Sequence, residues 1–168
     1  MAEVIKVYRE SMPEVRLVGR RYTDADRGPN GTFGHLWQEW FANGYFDRLE
    51  GLPQLRDERN GYLGAVPQGK EFEYWIGVLT IGDSPVPEGF ESVPIPAGEM
   101  AVCWLRGREE TGELYGCEPY HMCVREVGAQ GWAVDPKGWF FERYNCPRFT
   151  DPDSEGRVVL DYCFYLAD

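Results

Sequence analysis

The sequence predicts an α+β domain: a duplicated βαββ unit whose strands form one antiparallel sheet with two helices on one face. Two observations carry this. Two amphipathic helical patterns each follow one strand-like segment and precede two more, and a stretch dense in proline and glycine separates the two sets. The 168 residues suffice for one domain with a substantial core, or for two tightly joined halves. The order gives a first repeat over about 15–81, a linker over 82–98 and a second repeat over about 99–168.

Taking the elements in order, VRLVGRRYT (15–23) is rich in strand formers, and DADRGPNG closes it as a loop. Phe33, Leu36, Trp37, Trp40 and Phe41 then recur at spacings of three, four, seven and eight, the signature of one helical face. Thr32 is the expected N-cap, and Asn43-Gly44 the expected break. NGYLGAVP and EFEYWIGVLTI read as two strands separated by Pro67-Gln68-Gly69.

The segment GDSPVPEGFESVPIPAG (82–98) reads as an irregular connection. EMAVCWLRG (99–107) is a strand, and Leu114, Cys117, Tyr120, Val124 and Val127 mark the second helix. Pro119 belongs in a first helical turn, which places the start near Cys117 or Glu118. KGWFFERYNCP and GRVVLDYCFYL are the last two strands, joined by FTDPDSEG. The best sequence echo between the halves is NGYLG against KGWFF, so the repeat rests on element order.

Composition narrows the function. A net charge of −11 and a pI near 4.7, with no clustered Lys/Arg stripe, argue against nucleic-acid binding. The charge favours encounter with cations and also serves solubility. The amino-terminal segment is charged throughout and no apolar run matches a bilayer, so neither a signal peptide nor a membrane span is expected and the location reads as cytoplasmic. The five cysteines form no CxxC pair, and with two histidines no zinc spacing appears; no metal or cofactor is expected. His121 lies two residues from Cys123, a spacing that turns the side chains apart on a helix.

One residue is out of place. In GWFFERYNCP (138–147) Glu142 interrupts an aromatic run. Strand alternation puts Phe140, Glu142, Tyr144 and Cys146 on one face and Trp139, Phe141, Arg143 and Asn145 on the other. Both faces begin apolar, so the strand is covered on both sides, and an ionised carboxylate there needs a donor or a cation. Pairing with Arg125, Arg143 or Arg148 is one solution. An aromatic trap for a lipophilic cation is the other, with ring faces and the carboxylate sharing the attraction. Desolvation would also raise the carboxyl pKa towards that of a general acid or base.

The ordered set EYWIGVLT, VPEGFESVPIPAGEMAVCWLRG, GWFFERYNCP and VVLDYCFYL resembles the GyrI-like small-molecule-binding family of the SOUL/GyrI-like superfamily, from Val15 to the C-terminus. That family includes effector-binding domains of multidrug-responsive transcription activators. The resemblance implies two βαββ repeats around a central ligand cleft. It also implies recognition of hydrophobic, often cationic compounds, with Glu142 as the charge partner. Some stand-alone members hydrolyse cyclopropane-containing electrophiles, and Glu142 would again be the acidic group.

Trp75 is the first choice for its aromatic companion and Tyr74 the second. Tyr144 and Phe140 flank the carboxylate, while Trp75, Trp104 and Tyr162 divide evenly between core and cleft lining. Trp37, Trp40 and Phe41 read as core, with Trp37 the one in reach of the cleft floor. A third reading is an adaptor of the gyrase-inhibitory type that binds a protein partner through its acidic surface. The fourteen residues before Val15 are too few for a helix-turn-helix, so the chain reads as a stand-alone module.

Overall fold

A computed structural model describes residues 1–55 and 61–167. Eight strands form one antiparallel sheet: β1 (Glu3–Met12), β2 (Val15–Tyr22), β3 (Tyr62–Pro67), β4 (Tyr74–Thr80), β5 (Glu91–Ile95), β6 (Gly98–Gly107), β7 (Trp139–Tyr144) and β8 (Val158–Tyr165). Their spatial order is β1-β6-β8-β7-β3-β4-β2-β5. The halves meet at the β3–β7 ladder, and each half lends its first strand to the far edge of the other. Of the NGYLG echo, Asn60 lies outside the described residues.

Two strands depart from the expected plan. β1 falls in the charged amino-terminal segment, where an edge strand keeps its charges towards water and carries a bulge between Val4 and Lys6. β5 lies inside the supposed irregular linker. Its Pro94 stands opposite Arg16, and proline is tolerated there because β5 is the outermost strand with no neighbour beyond it.

The helices are α1 (Gly34–Ala42), α2 (Tyr45–Leu49) and α3 (Cys117–Ala129). The break between α1 and α2 falls at Asn43-Gly44, with Gly44 in the left-handed region at φ 66°. The residue capping α1 is Phe33, not Thr32. Pro119 sits in the first turn of α3, as its missing N–H requires. Leu36, Trp40, Phe46 and Leu49 of α1 and α2 pack with Val18, Ile76 and Val78. Cys123 and Val127 of α3 pack with Phe140, Leu160, Tyr162 and Phe164. The ladders place all these strand residues on one face, so the helices cover that face side by side. Phe41 is 61% exposed and lies at the margin of the core it was expected to join, its ring 5.4 Å from that of Phe46.

Among the described residues the opposite face carries no helix, yet it buries Leu17, Leu63, Trp75, Leu79, Ile95, Val102, Phe141 and Tyr165. Connectivity explains how. β1 and β2 lie six strands apart, about 29 Å in a flat sheet. Only Pro13-Glu14 joins them, a span of roughly 10 Å at most. β5 and β6 impose the same demand through Pro96-Ala97. The edges must therefore meet at that end, and the sheet curls over its own apolar side. No helix among the described residues is long and apolar enough to cross a membrane.

Candidate functional site

Glu142 sits in mid-β7, at the seam between the α1/α2 layer and α3. Across the ladders it faces Gly64 on β3 and Tyr162 on β8. The next strand brings Tyr74, whose hydroxyl donates to Glu142 Oε1 at 3.0 Å. Trp37 on α1 donates its indole N–H to the Tyr74 oxygen, also at 3.0 Å. That oxygen accepts from Trp37, so its own proton is directed at the carboxylate.

The rings around this relay are fixed by one another. Phe33 stacks on Tyr74 with centroids 4.4 Å apart and planes within 3°. Tyr144 meets the edges of Trp37 and Phe149, each at 4.8 Å. Phe140 packs towards α3, against Tyr120 at 5.2 Å and Tyr162 at 5.4 Å. Tyr162 donates to the Leu114 carbonyl and so ties the segment before α3 to the sheet. Room for the carboxylate comes from Gly64, where a methyl group would lie 2.2 Å from the Tyr74 oxygen and 2.9 Å from Glu142 Oε1.

Glu142 is part-buried, with rings carried by α1 and rings packed under α3 on either side of it. Burial pushes its pKa up to about 7, and the Tyr74 hydrogen bond opposes part of that rise. Burial and the nearby carboxylate hold the Tyr74 and Tyr144 hydroxyls well above the usual phenol range, so both stay protonated donors. Tyr162 is raised by burial and then by Glu142, and Tyr115 by burial, then Glu109, then Glu142.

The arginine partners considered for Glu142 are placed elsewhere. Arg143 and Arg148 both bond Asp161, and Arg125 is exposed on α3. Arg143 projects from the other face, where it also reaches Glu10.

Six of the eight residues named from the sequence come together: Glu142, Tyr144, Tyr74, Tyr162, Phe140 and Trp37. Trp75 and Trp104 do not. Trp75 lies opposite Ala65 and Trp104 opposite Asp161, which puts both on the helix-free face. Strand parity forces this correction: Tyr74 and Trp75 are sequence neighbours and must point apart. Sequence reasoning missed Gly64, which has no side chain to notice, and Tyr115, which lies in a turn-rich segment without periodicity. Among the described residues no cluster of His, Cys, Asp and Glu is arranged to hold a metal ion.

No family model and no curated protein matches the chain by sequence. Solved structures do match it along its length. A protein from Staphylococcus aureus MU50, described as a bacterial transcription regulation protein, covers 98% of this chain and 99% of its own at a TM-score of 0.66 and 16% identity. SAV2435 bound to tetraphenylphosphonium matches at 0.67 and 13% identity, covering 97% of this chain and 94% of its own. The C-terminal domain of EcmrR matches at 0.59 and 13%, over 97% and 98%. The chain has the fold that these structures share. Against the longer EcmrR chain seen in complex with DNA, the match spans 57% of that chain's length. At these identities the likeness concerns the backbone alone, and the site's chemistry rests on the residues described above.

Proposed function

We propose that the domain binds hydrophobic cations between α1 and α3, with Glu142 as the counter-charge and Tyr74, Trp37, Tyr144, Phe140 and Tyr162 as aromatic surroundings. One observation supports this above the others: a carboxylate buried among rings whose hydrogen-bonding partner is a neutral phenol. Such a group lacks a compensating charge, and a desolvated cation supplies it. The ring faces add about 0.5–2 kcal/mol each, depending on exposure. SAV2435, which shares the fold, binds a lipophilic cation, tetraphenylphosphonium. Calorimetric titration with tetraphenylphosphonium tests the reading. Wild type should bind saturably, and Glu142→Gln should weaken binding roughly ten- to hundredfold. Equal affinity in the two proteins would remove Glu142 from the site.

A pKa near 7 also favours a second reading, hydrolysis of a cyclopropane-type electrophile. Glu142 would take a proton from water as the water oxygen attacks a ring carbon. The ring C–C bond breaks, its electron pair passes to the substrate's conjugated acceptor, and the proton is returned there. Turnover of such an alkylator by wild type and not by Glu142→Gln would favour hydrolysis, whereas cation binding without turnover favours the receptor.

A further inference from the structure

A chain of net charge −11 brings two arginines together around one aromatic ring. Arg20 projects from β2 on the helix-covered face, two residues after Val18 of the core under α1 and α2. Arg48 lies in the last turn of α2. Their guanidinium carbons stand 5.4 and 4.8 Å from the centroid of Phe90, in the turn before β5. Gly89 places no side chain between them. A methyl group there would lie 3.6 Å from Arg20 Nη2 and 4.0 Å from Arg48 Nη1, so the two nitrogens are at most about 7.6 Å apart. The oxygens of one tetrahedral oxyanion span such a gap with an ordinary hydrogen bond at each end.

Both groups are held in place and neither is neutralised. The Arg20 guanidinium lies 4.1 Å over the Tyr45 ring, and its Nε is shut away from water without an acceptor. Arg48 donates at 2.6 Å to the Glu88 carbonyl, a neutral group. Among the described residues no carboxylate forms an ion pair with either arginine, although Glu39, Asp47, Glu88 and Glu91 belong to the surrounding elements. Glu39 instead accepts from the Tyr45 hydroxyl at 3.3 Å. Arg21 gives the contrast: it turns to the other face of the sheet and reaches Glu73 at 4.0 Å. Ring faces offset part of the cost of two neighbouring positive charges, and an anion supplies the rest.

The arginine pair is separate from the Glu142 site. Arg20, Ile76, Gly64 and Glu142 form one row across the ladders, so Arg20 and Glu142 stand three strand spacings apart, about 14 Å. The fully buried Ile76 side chain lies between them.

We propose that Arg20 and Arg48 form an anion site for a phosphate group, either the free ion or a phosphate monoester. Two positive charges match a dianion, and tetrahedral oxygens can accept from two guanidiniums that approach from different sides. A monocarboxylate would leave one charge over.

The test is calorimetric titration of the full chain with inorganic phosphate, phenyl phosphate and benzoate, at fixed ionic strength and at a pH where phosphate is a dianion. Both phosphates should bind wild type saturably and more tightly than benzoate. Arg48→Gln should weaken phosphate binding about tenfold; Arg48 is exposed, so the fold survives the change. Arg20→Lys, which keeps the charge and loses the planar fork, should weaken it as well. Arg21→Gln removes the same charge from the next residue and should leave the affinity unchanged. Tetraphenylphosphonium affinity should be the same in Arg48→Gln as in wild type. Tighter binding of phenyl phosphate than of the free ion supports the site with an esterified ligand, and equal binding supports it with the ion itself. The proposal is overturned if neither phosphate binds saturably, if Arg48→Gln binds phosphate as wild type does, if Arg21→Gln loses as much, or if benzoate binds as tightly.

Discussion

Gly64 stands directly across the β3–β7 ladder from Glu142, and its missing side chain is the space in which the carboxylate and the Tyr74 hydroxyl meet. A methyl group there would lie 2.2 Å from the Tyr74 oxygen, inside any permitted contact. Tyr74 is held by its stack on Phe33 and by Trp37, so it has little freedom to move away. Gly64→Ala should therefore cost about 1–3 kcal/mol of stability by overpacking. It should also abolish tetraphenylphosphonium binding under conditions where thermal melts show the protein still folded. An unchanged affinity would mean that cation binding does not depend on this contact.

The raised pKa of Glu142 has a consequence for stability that can be signed. Native Glu142 titrates near 7, against an ordinary value of 4.5. Below the ordinary value both native and unfolded chains are protonated and nothing is lost. As pH rises towards 7 the unfolded chain ionises first, so this group withdraws stability across that window and no more above it. The full effect amounts to at most about 3 kcal/mol. Thermal melts from pH 5 to 8 should show wild type losing several degrees that Glu142→Gln retains. Parallel pH profiles for the two proteins would show that Glu142 is not desolvated.

Cation binding should follow the opposite course. A permanent cation gains its partner only when Glu142 ionises, so affinity should rise as pH climbs through about 7. Below that midpoint it should fall about tenfold per pH unit. Trp37 tunes the midpoint through Tyr74, whose hydrogen bond is what opposes the rise in the Glu142 pKa. In Trp37→Phe the Tyr74 hydroxyl loses its incoming donor and becomes a weaker donor itself. The binding midpoint should move upward, with about 1 kcal/mol of stability lost. A fixed midpoint would show that Trp37 packs against the site without tuning it.

These relationships were unequally legible in the sequence. GWFFERY alternates, so the split between the Glu142 side and the Arg143 side could be read directly. YWIGVLT is buried along its whole length, so it shows no alternation, and only its register with β3 reveals that Tyr74 rather than Trp75 shares the face of Glu142. β1 and β5 were hidden because edge strands are the ones that tolerate charge and proline. The helices were clear, since a packed helix must carry its apolar residues on one side. Tyr115 could not be seen at all: its place depends on the tie from Tyr162 to the Leu114 carbonyl, a contact spanning 48 residues.

The helix-free face supplies a control. Asp161 is fully buried and accepts from Arg143 Nε at 2.9 Å and Arg148 Nε at 2.8 Å, while Arg143 also reaches Glu10 at 2.9 Å. Arg148 lies over the Trp104 ring, which fixes that tryptophan in a packing role beside the cluster. Removing the charge takes from Arg143 and Arg148 the buried carboxylate they share, so Asp161→Asn should cost about 3–5 kcal/mol of stability. Asp161 and Glu142 project from opposite faces of the sheet, in adjacent strands. The variant, assayed below its lowered melting temperature, should therefore keep wild-type affinity for tetraphenylphosphonium and the same pH midpoint. Loss of binding in the folded variant would show that the two faces are coupled, and that the cation site cannot be assigned to the helix-covered face alone.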